Sequence, residues 1–368
     1  RLPDSFEGDL NAQVAACQIG RRRLVSLAEK YGTKEIKYIF SELLDRSEIM
    51  TRDAIKGLPN GMFSHVDYLD NDGVDLDAAI KINVNVKIDD DEIHLDFTGT
   101  NKQVKGPFNL MPSGAYAAAY FAVHAMIDAD VPINGGCFRP ISLNLPERSI
   151  VNPEEPAAVN ARTSTMKRVA GCITSALGKA DPPRAVADAA GELLLLAFGG
   201  EREDGSRYVV GELVASGSGA SEGMDGVDVI ETDGTNCMNL PIEALELDVP
   251  IRINKTELRK GSGGAGKFRG GLGIVREYEV LKGEVIFTHR GERHAYAAQG
   301  ISSGGAGALA QSVIYRLDGT TEVINSKIIQ KLQPGDRVVV ETAGGGGYGD
   351  IKERSQQSVI ADQVNRKS

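Results

Sequence analysis

Glycine restricts this fold more than any other residue, filling 43 of 368 positions and crowding into a few runs. The tightest run, Gly261-Ser-Gly-Gly-Ala-Gly-Lys267, fits the opening of a phosphate-binding loop, whose backbone N–H groups cradle phosphates. Two features speak against a nucleotide. The hydroxyl residue that should follow the lysine and hold Mg²⁺ is Phe268. The stretch Leu272–Leu281 is rich in β-branched residues and reads as a strand, where a phosphate loop must open a helix. The run is therefore read as a loop of tight turns that lets other backbone approach closely. Lys267 and Arg269 are then either solvated or facing an anion.

The chain is long enough for two domains with real cores, and 41% hydrophobic with 25% charged residues is the composition of a soluble globular protein. A net charge of −10 argues against nucleic acid or an anionic membrane as a general partner. No apolar run approaches the length of a membrane span; Leu193–Phe198 is far too short. No secretory signal is visible, and Cys17, Cys137, Cys172 and Cys237 are scattered without a C-x-x-C pair, as expected of reduced cytoplasmic thiols. The opening Arg-Leu-Pro-Asp, with no initiator Met, suggests a fragment or a processed chain.

Helical spacing predicts one helix from Asp9 to Tyr31 and a second from Thr33 toward Gly57, with Gly32-Thr33 as the break. From Gly61 the period drops to two, predicting strands at Met62–Leu69, Ala79–Ile88 and Glu92–Phe97, with Asp89–Asp91 as a hairpin turn. The acidic runs 70–73 and 89–92 lack EF-hand spacing and read as solvated turns. A small-residue helix follows at Ser113–Ile127, then a strand at Ile141–Leu145 and a helix at Met166–Gly178. Further strands are expected at 191–200, Tyr208–Ala215, Ile251–Leu258, Leu272–Leu281, Glu284–Thr288 and Leu332–Glu341. Residues Lys352–Ser368 read as a polar tail, mobile or partner-docking. The expected fold is α+β and β-rich: a helical hairpin at 1–58, a middle α/β segment at 59–150, a glycine-rich C-terminal α+β domain at 151–350, and the tail at 351–368.

Three places concentrate chemistry. Asn160, Arg162 and Thr163 lie just before a helix N-terminus, where free N–H groups favour a carboxylate or phosphate; equally, Thr163 or Ser164 simply caps the helix. The segment 229–239 gathers Glu231, Asp233, Asn236 and Asn239 beside Cys237, which could act as a nucleophile only with a base nearby. His289, Arg290, Arg293 and His294 close a strand. Their spacing matches no zinc frame, so they are read as anion-binding or hydrogen-bonding groups facing a cleft.

In order along the chain, GDLNAQVAA at 8–16, DFTGT at 96–100, GPFN at 106–109, NGGCFRP at 134–140 and VNARTST at 159–165 carry a resemblance. ETDGTNCMNLPIEALE at 231–246, SGGAGKFRGGLGIVREYE at 262–279, FTHRGER at 287–293 and GGGGYGD at 344–350 complete it. Almost end to end, the chain resembles the hydantoinase B/oxoprolinase family, the B-type subunits of ATP-dependent cyclic amidases and of related ketone carboxylases. The resemblance implies an A-type (hydantoinase A/oxoprolinase) partner that holds ATP with Mg and phosphorylates a carbonyl or enol oxygen. The B-type subunit then opens a lactam or hydantoin ring, or carboxylates an enol phosphate derived from a ketone. It also implies a further N-terminal region of the same subunit, absent here. In metal-containing members that region binds a divalent ion such as Mn or Zn, so no metal ligand is carried over. The segment His294–Ile301 departs from the family's Pro-Pro-Trp-Gly-Leu-like pattern.

Within that frame Arg162, Arg269, Arg290 and Arg293 are candidates to bind a phosphorylated or carboxylate-bearing intermediate, because a forked guanidinium suits both. Asp233, Glu231 and Glu243 are candidates for general base. Asn160, Asn236 and Asn239 could orient a carbonyl, with Thr163 and His289 as further substrate contacts. The cyclic-amidase reading leads, a ketone carboxylase is the alternative, and a non-catalytic scaffold that docks the ATP-using subunit is the reading from another class.

Overall fold

The computed structural model describes residues 3–127, 130–192, 194–202 and 204–367, with side chains from Phe6 onward. Of the positions read above, Arg1, Leu2, Leu193 and Ser368 lie outside the described residues. The fold is mixed α+β, with N-terminal helices and three open sheets. It divides into two compact units, 1–54 with 130–140, and 55–129 with 141–368.

In the first unit, helix α1 (Pro3–Tyr31) leads across the single residue Gly32 into α2 (Thr33–Lys56). Gly32 takes φ +87°, a conformation that favours glycine, and its N–H still donates to the Ala28 carbonyl at 2.8 Å. Segment 130–140 is tied to α2 by Arg139, which reaches Asp45 at 2.7 Å and Glu48 at 2.8 Å. Asn134 adds a bond to the Ser47 hydroxyl at 2.7 Å.

The second unit starts with β1 (Gly61–Leu69), β2 (Ile80–Asp89) and β3 (Glu92–Asp96), antiparallel, with β4 (Ile141–Asn144) added parallel to β3. Alternation along β2 sends Ile80, Ile82, Val84, Val86 and Ile88 to one face. Helix α4 (Arg162–Ala180) packs on β1 and β2, and α3 (Pro112–Met126) packs on α4. The face of β1 that meets α4 carries Phe63, His65, Asp67 and Leu69. That is the first unusual feature, because a carboxylate sits in this row between His65 and Leu69.

Two further sheets form a sandwich. One has the order β12 (Lys327–Leu332), β9 (Val285–Arg290), β5 (Leu194–Glu201), β6 (Arg207–Val214). The other runs β11 (Thr321–Val323), β10 (Gln311–Tyr315), β13 (Arg337–Glu341), β8 (Ile274–Val280), β7 (Ile251–Leu258). Leu194, Leu196, Phe198, Val285 and Phe287 face Ile251, Tyr278, Ile314, Val338 and Val340 across a single core. The expected strand Leu332–Glu341 is two strands, broken by the turn at Gln333–Asp336, where Pro334-Gly335 cannot continue a ladder. β10, β11, all of β12 but Leu332, and the short helix α5 (Ile242–Asp248) were not anticipated. The C-terminal tail carries helix α6 (Gln356–Val364), docked by Arg354 on Asp225 at 2.8 Å and on Asp362 at 2.7 Å.

The glycine runs meet one another rather than a nucleotide. The N–H of Gly264 donates to the Gly345 carbonyl at 2.8 Å, that of Gly345 to Gly271 at 3.0 Å, and that of Gly347 to Gly305 at 2.9 Å. Lys267 pairs with Glu222 at 3.1 Å. Within the 261–267 run the amides of Gly261, Ser262, Gly264 and Lys267 are taken up by backbone carbonyls, and no helix follows Lys267.

Candidate functional site

Where α4, the end of β1 and the loop after β9 converge, charged side chains are buried in numbers that packing alone does not require. Asp67 accepts from Arg168 at 2.8 Å and from Arg293 at 3.0 Å, and both guanidiniums are almost wholly shut off from solvent. Burial opposes the charge on Asp67, but Arg168 and Arg293 outweigh it and hold the carboxyl at about 2. Arg293 is fully engaged within the protein. Its Nε donates to the Ala190 carbonyl at 2.8 Å, and its terminal nitrogens reach Asp67 and the carbonyls of Ala189, Tyr296 and Ala297.

A second layer lies against the first. Glu292 pairs with Lys327 at 2.9 Å and accepts from the Asp70 N–H at 2.9 Å. Glu192 accepts from the Glu292 N–H at 3.0 Å and from the Ser216 hydroxyl at 3.1 Å. Burial raises Glu292, and it pushes Glu192 up to about 7, with the charges of Asp70 and Glu292 adding to the latter shift. His289 is held neutral: burial pulls it down to about 3, its Nδ1 faces the Ser326 carbonyl and its Nε2 the Ser312 hydroxyl, both at 2.9 Å.

Glu192 should make stability fall as pH rises. Its folded value lies above the unfolded value near 4.5, so the contribution is whole below pH 4.5 and is lost as pH climbs through 7. The loss amounts to about 3 kcal/mol, and Glu192→Gln, which copies the protonated group, should remove that slope and exceed the wild type in stability above pH 7. Urea unfolding of both proteins from pH 5 to pH 8 checks this. Parallel curves would show that Glu192 does not titrate in that window.

The third element is the loop 229–241 before α5. Lys167 of α4 pairs with Glu231 at 2.8 Å and donates to the Thr235 hydroxyl at 2.9 Å. Asp233, at φ +59°, is half-buried; its carboxylate accepts from the Thr232 hydroxyl at 2.9 Å and lies against Gly191. Burial raises its pKa, opposed by the positive charges of Lys167, Arg168 and Arg293.

Of the residues singled out in the sequence, Glu231, Asp233, His289 and Arg293 therefore come together in or beside one buried polar centre. Arg290 is half-buried on β9 and makes no ion pair among the described residues. Asn236, Asn239 and Cys237 are exposed on the loop, and Glu243 is exposed on α5. Asn160 and Arg162 are exposed and Thr163 half-buried at the start of α4, whose N-cap is Ala161 with no side-chain cap bond. Arg269 lies elsewhere, held by Asp228 at 3.1 Å and Asp362 at 3.5 Å. His294, read with His289 as a hydrogen-bonding group, lies beside it, while Asp67, Asp70, Arg168, Glu192, Glu292 and Lys327 were missed. A signal existed for one of them: Asp67 falls on the alternate positions of β1 that carry Phe63 and Leu69. Among the described residues no group of three His, Cys, Asp or Glu side chains could hold a metal ion. No helix among them is long and apolar enough to cross a membrane.

Comparison with known proteins returns a consistent picture. A family model described as Hydantoinase B/oxoprolinase matches residues 1–351. The beta subunit of caprolactamase from Pseudomonas jessenii is 32% identical over 98% of this chain and 63% of its own length. The crystal structure of ATP-dependent caprolactamase from the same organism superposes with a TM-score of 0.86 at 29% identity, over 98% of this chain and 64% of that one. The nucleotide-free structure of acetone carboxylase gives a TM-score of 0.84 at 17% identity, over 97% and 54%, a likeness of fold. The chain spans 63% of the length of the curated relatives it matches first.

Proposed function

The chain belongs to the hydantoinase B/oxoprolinase family, and on that basis we propose that it is the B-type part of an ATP-dependent cyclic amidase. In this reading an A-type partner with ATP and Mg phosphorylates the ring carbonyl oxygen, and this chain acts on the activated amide. The observation that carries the assignment is Asp233. It is an acid without an ion-pair partner within 4 Å among the described residues, lifted by burial, set among Lys167, Arg168 and Arg293. A carboxylate whose pKa is raised by burial is suited to take a proton from the attacking water and return it to the ring nitrogen as the C–N bond opens, which leaves an acyl phosphate that a second water hydrolyses to the open-chain carboxylate and inorganic phosphate.

Other residues then take supporting roles. Lys167, paired with Glu231 and bonded to Thr235, holds the loop that presents Asp233. Asn236 and Asn239, exposed on that loop, would orient the carbonyl in this reading, and Arg162 and Arg290, which make no ion pair among the described residues, would bind the phosphorylated intermediate. Arg293 positions Asp67 and the 189–190 backbone rather than touching substrate. Nothing in the site favours the carboxylase reading, since the acetone carboxylase likeness at 17% identity speaks to fold alone.

The test combines the chain with an A-type partner, ATP and 5-oxoproline, a hydantoin or a simple lactam, with ketone plus bicarbonate as the second arm. Ring opening coupled to ADP release is expected in the first arm. Asp233→Asn should lower kcat about 10²-fold or more with the complex intact. Unchanged turnover in that variant removes Asp233 as the base, and bicarbonate-dependent loss of ketone moves the chain to the carboxylases.

A further inference from the structure

Helix α1 is 29 residues long, and no other element of the described structure lies along it. From Phe6 to Tyr31 every side chain is exposed except that of Ala28, which is half-buried. Even a long helix is marginal in water by itself, and helices in proteins owe most of their stability to packing an apolar stripe. α1 has such a stripe. Leu10, Cys17, Leu24 and Tyr31 recur every seven residues, and Phe6 and Val14 stand one turn to either side of Leu10. At about 100° per residue these six fall within an arc of about 100°. Phe6 is 71% exposed, Leu10 50% and Leu24 49%, so nothing in the single chain covers them.

Two properties of the stripe select what covers it. The first is its symmetry about Cys17: Leu10 and Leu24 stand seven residues to either side, Val14 and Gly20 three, Phe6 and Ala28 eleven. Two copies laid antiparallel with Cys17 against Cys17 therefore set Leu10 on Leu24, Val14 on Gly20 and Phe6 on Ala28. The last two levels each match a large residue with a small one, as interdigitation requires. The second property is charge. From Phe6 to Gln18 the charged residues are Glu7 and Asp9 alone, whereas from Ile19 to Tyr31 they are Arg21, Arg22, Arg23 and Lys30 against a single Glu29. Antiparallel pairing lays the acidic half of one copy beside the basic half of the other, and parallel pairing would lay like on like. Arg21 is the one charged side chain inside the arc. It comes level with Gln13 of the other copy, whose carboxamide oxygen can accept from it while the arginine stem lies along the seam.

We propose that α1 is a homodimerisation helix, pairing antiparallel with α1 of a second copy of this chain about a two-fold axis that passes Cys17. The same patch serves both copies, so the contact closes on itself and stops at two. The inference stands on α1 alone and does not use the cyclic-amidase reading.

Sedimentation equilibrium of the full chain from about 1 to about 100 µM should show monomer and dimer in exchange. Leu10→Asp and Leu24→Asp each place a carboxylate in the seam and should weaken association at least about tenfold. Both positions are exposed in the single chain, so these variants test association rather than folding. Orientation is read from disulfides in a Cys17→Ser, Cys237→Ser background. Leu10→Cys mixed with Leu24→Cys, one of them tagged to shift its gel mobility, should cross-link under diamide, which takes up the two thiol hydrogens as S–S forms. Neither variant should cross-link alone, because antiparallel pairing holds the two copies of position 10 about 21 Å apart. A monomer across the whole concentration range, association that survives both aspartates, or cross-linking of either variant alone without the mixed product overturns the proposal. The first of these results would leave the stripe to a partner of different sequence.

Discussion

Asp67→Asn is expected to lower the stability of the second unit by about 3–5 kcal/mol, the usual effect of removing one member of a buried, hydrogen-bonded ion cluster. The substitution keeps the shape and removes one charge. Arg168 and Arg293 then lose the carboxylate that lies 2.8 and 3.0 Å away, and neither can rotate to water from its buried position. The sign of the pH dependence follows from the lowered value. Asp67 stabilises fully above its unfolded value near 3.8, and that contribution disappears as pH falls through about 2. Urea unfolding of wild type and variant at pH 7 measures the difference. A difference below about 1 kcal/mol would place Asp67 among ordinary surface pairs and remove the polar centre as a structural keystone.

Gly345→Ala is expected to do at least as much damage by a different route. An added Cβ would stand 1.8 Å from the Ser218 carbonyl oxygen and 2.2 Å from its carbon. Those atoms are backbone, fixed by the bonds of Gly271 N–H to Ser218 O at 2.8 Å and Gly345 N–H to Gly271 O at 3.0 Å, so no side chain can swing aside. Overpacking of this kind costs about 4 kcal/mol or more when nothing yields. Gly171→Ala on α4 is the control. Nothing lies within 4 Å of its added Cβ, and alanine in a helix interior should gain up to about 1 kcal/mol. Thermal melting of both variants checks the contrast, and two similar melting temperatures would sink the account of the glycine layer.

Much of the fold was legible because its signals are local. The switch from helical spacing to a period of two at Gly61, the hairpin turn at Asp89–Asp91 and the strand after the 261–267 glycine run each depend on neighbours a few residues apart. β10 and β11 escaped because five and three residues carry too short an alternation to stand out. The tail 352–367 reads as polar, yet α6 docks through ion pairs whose partners, Asp225 and Asp228, lie more than a hundred residues earlier.

The candidate site divides in the same way. Residue order alone carried the family, most of the strands and helices, the rejection of a nucleotide loop, and the choice of Glu231, Asp233, His289 and Arg293 as residues to watch. All of these rest on residue types in fixed local order. What each side chain touches was settled by the packing of distant segments. Arg293 and Asp67 are 226 positions apart and become one ion cluster; Arg269, equally promising as a guanidinium, became a clamp on the C-terminal helix. Whether a charged side chain faces a cleft or is spent on a neighbour depends on which distant carboxylates and carbonyls the sheets bring to it. No spacing along the chain encodes that, because hydrogen bonds and ion pairs are satisfied in space.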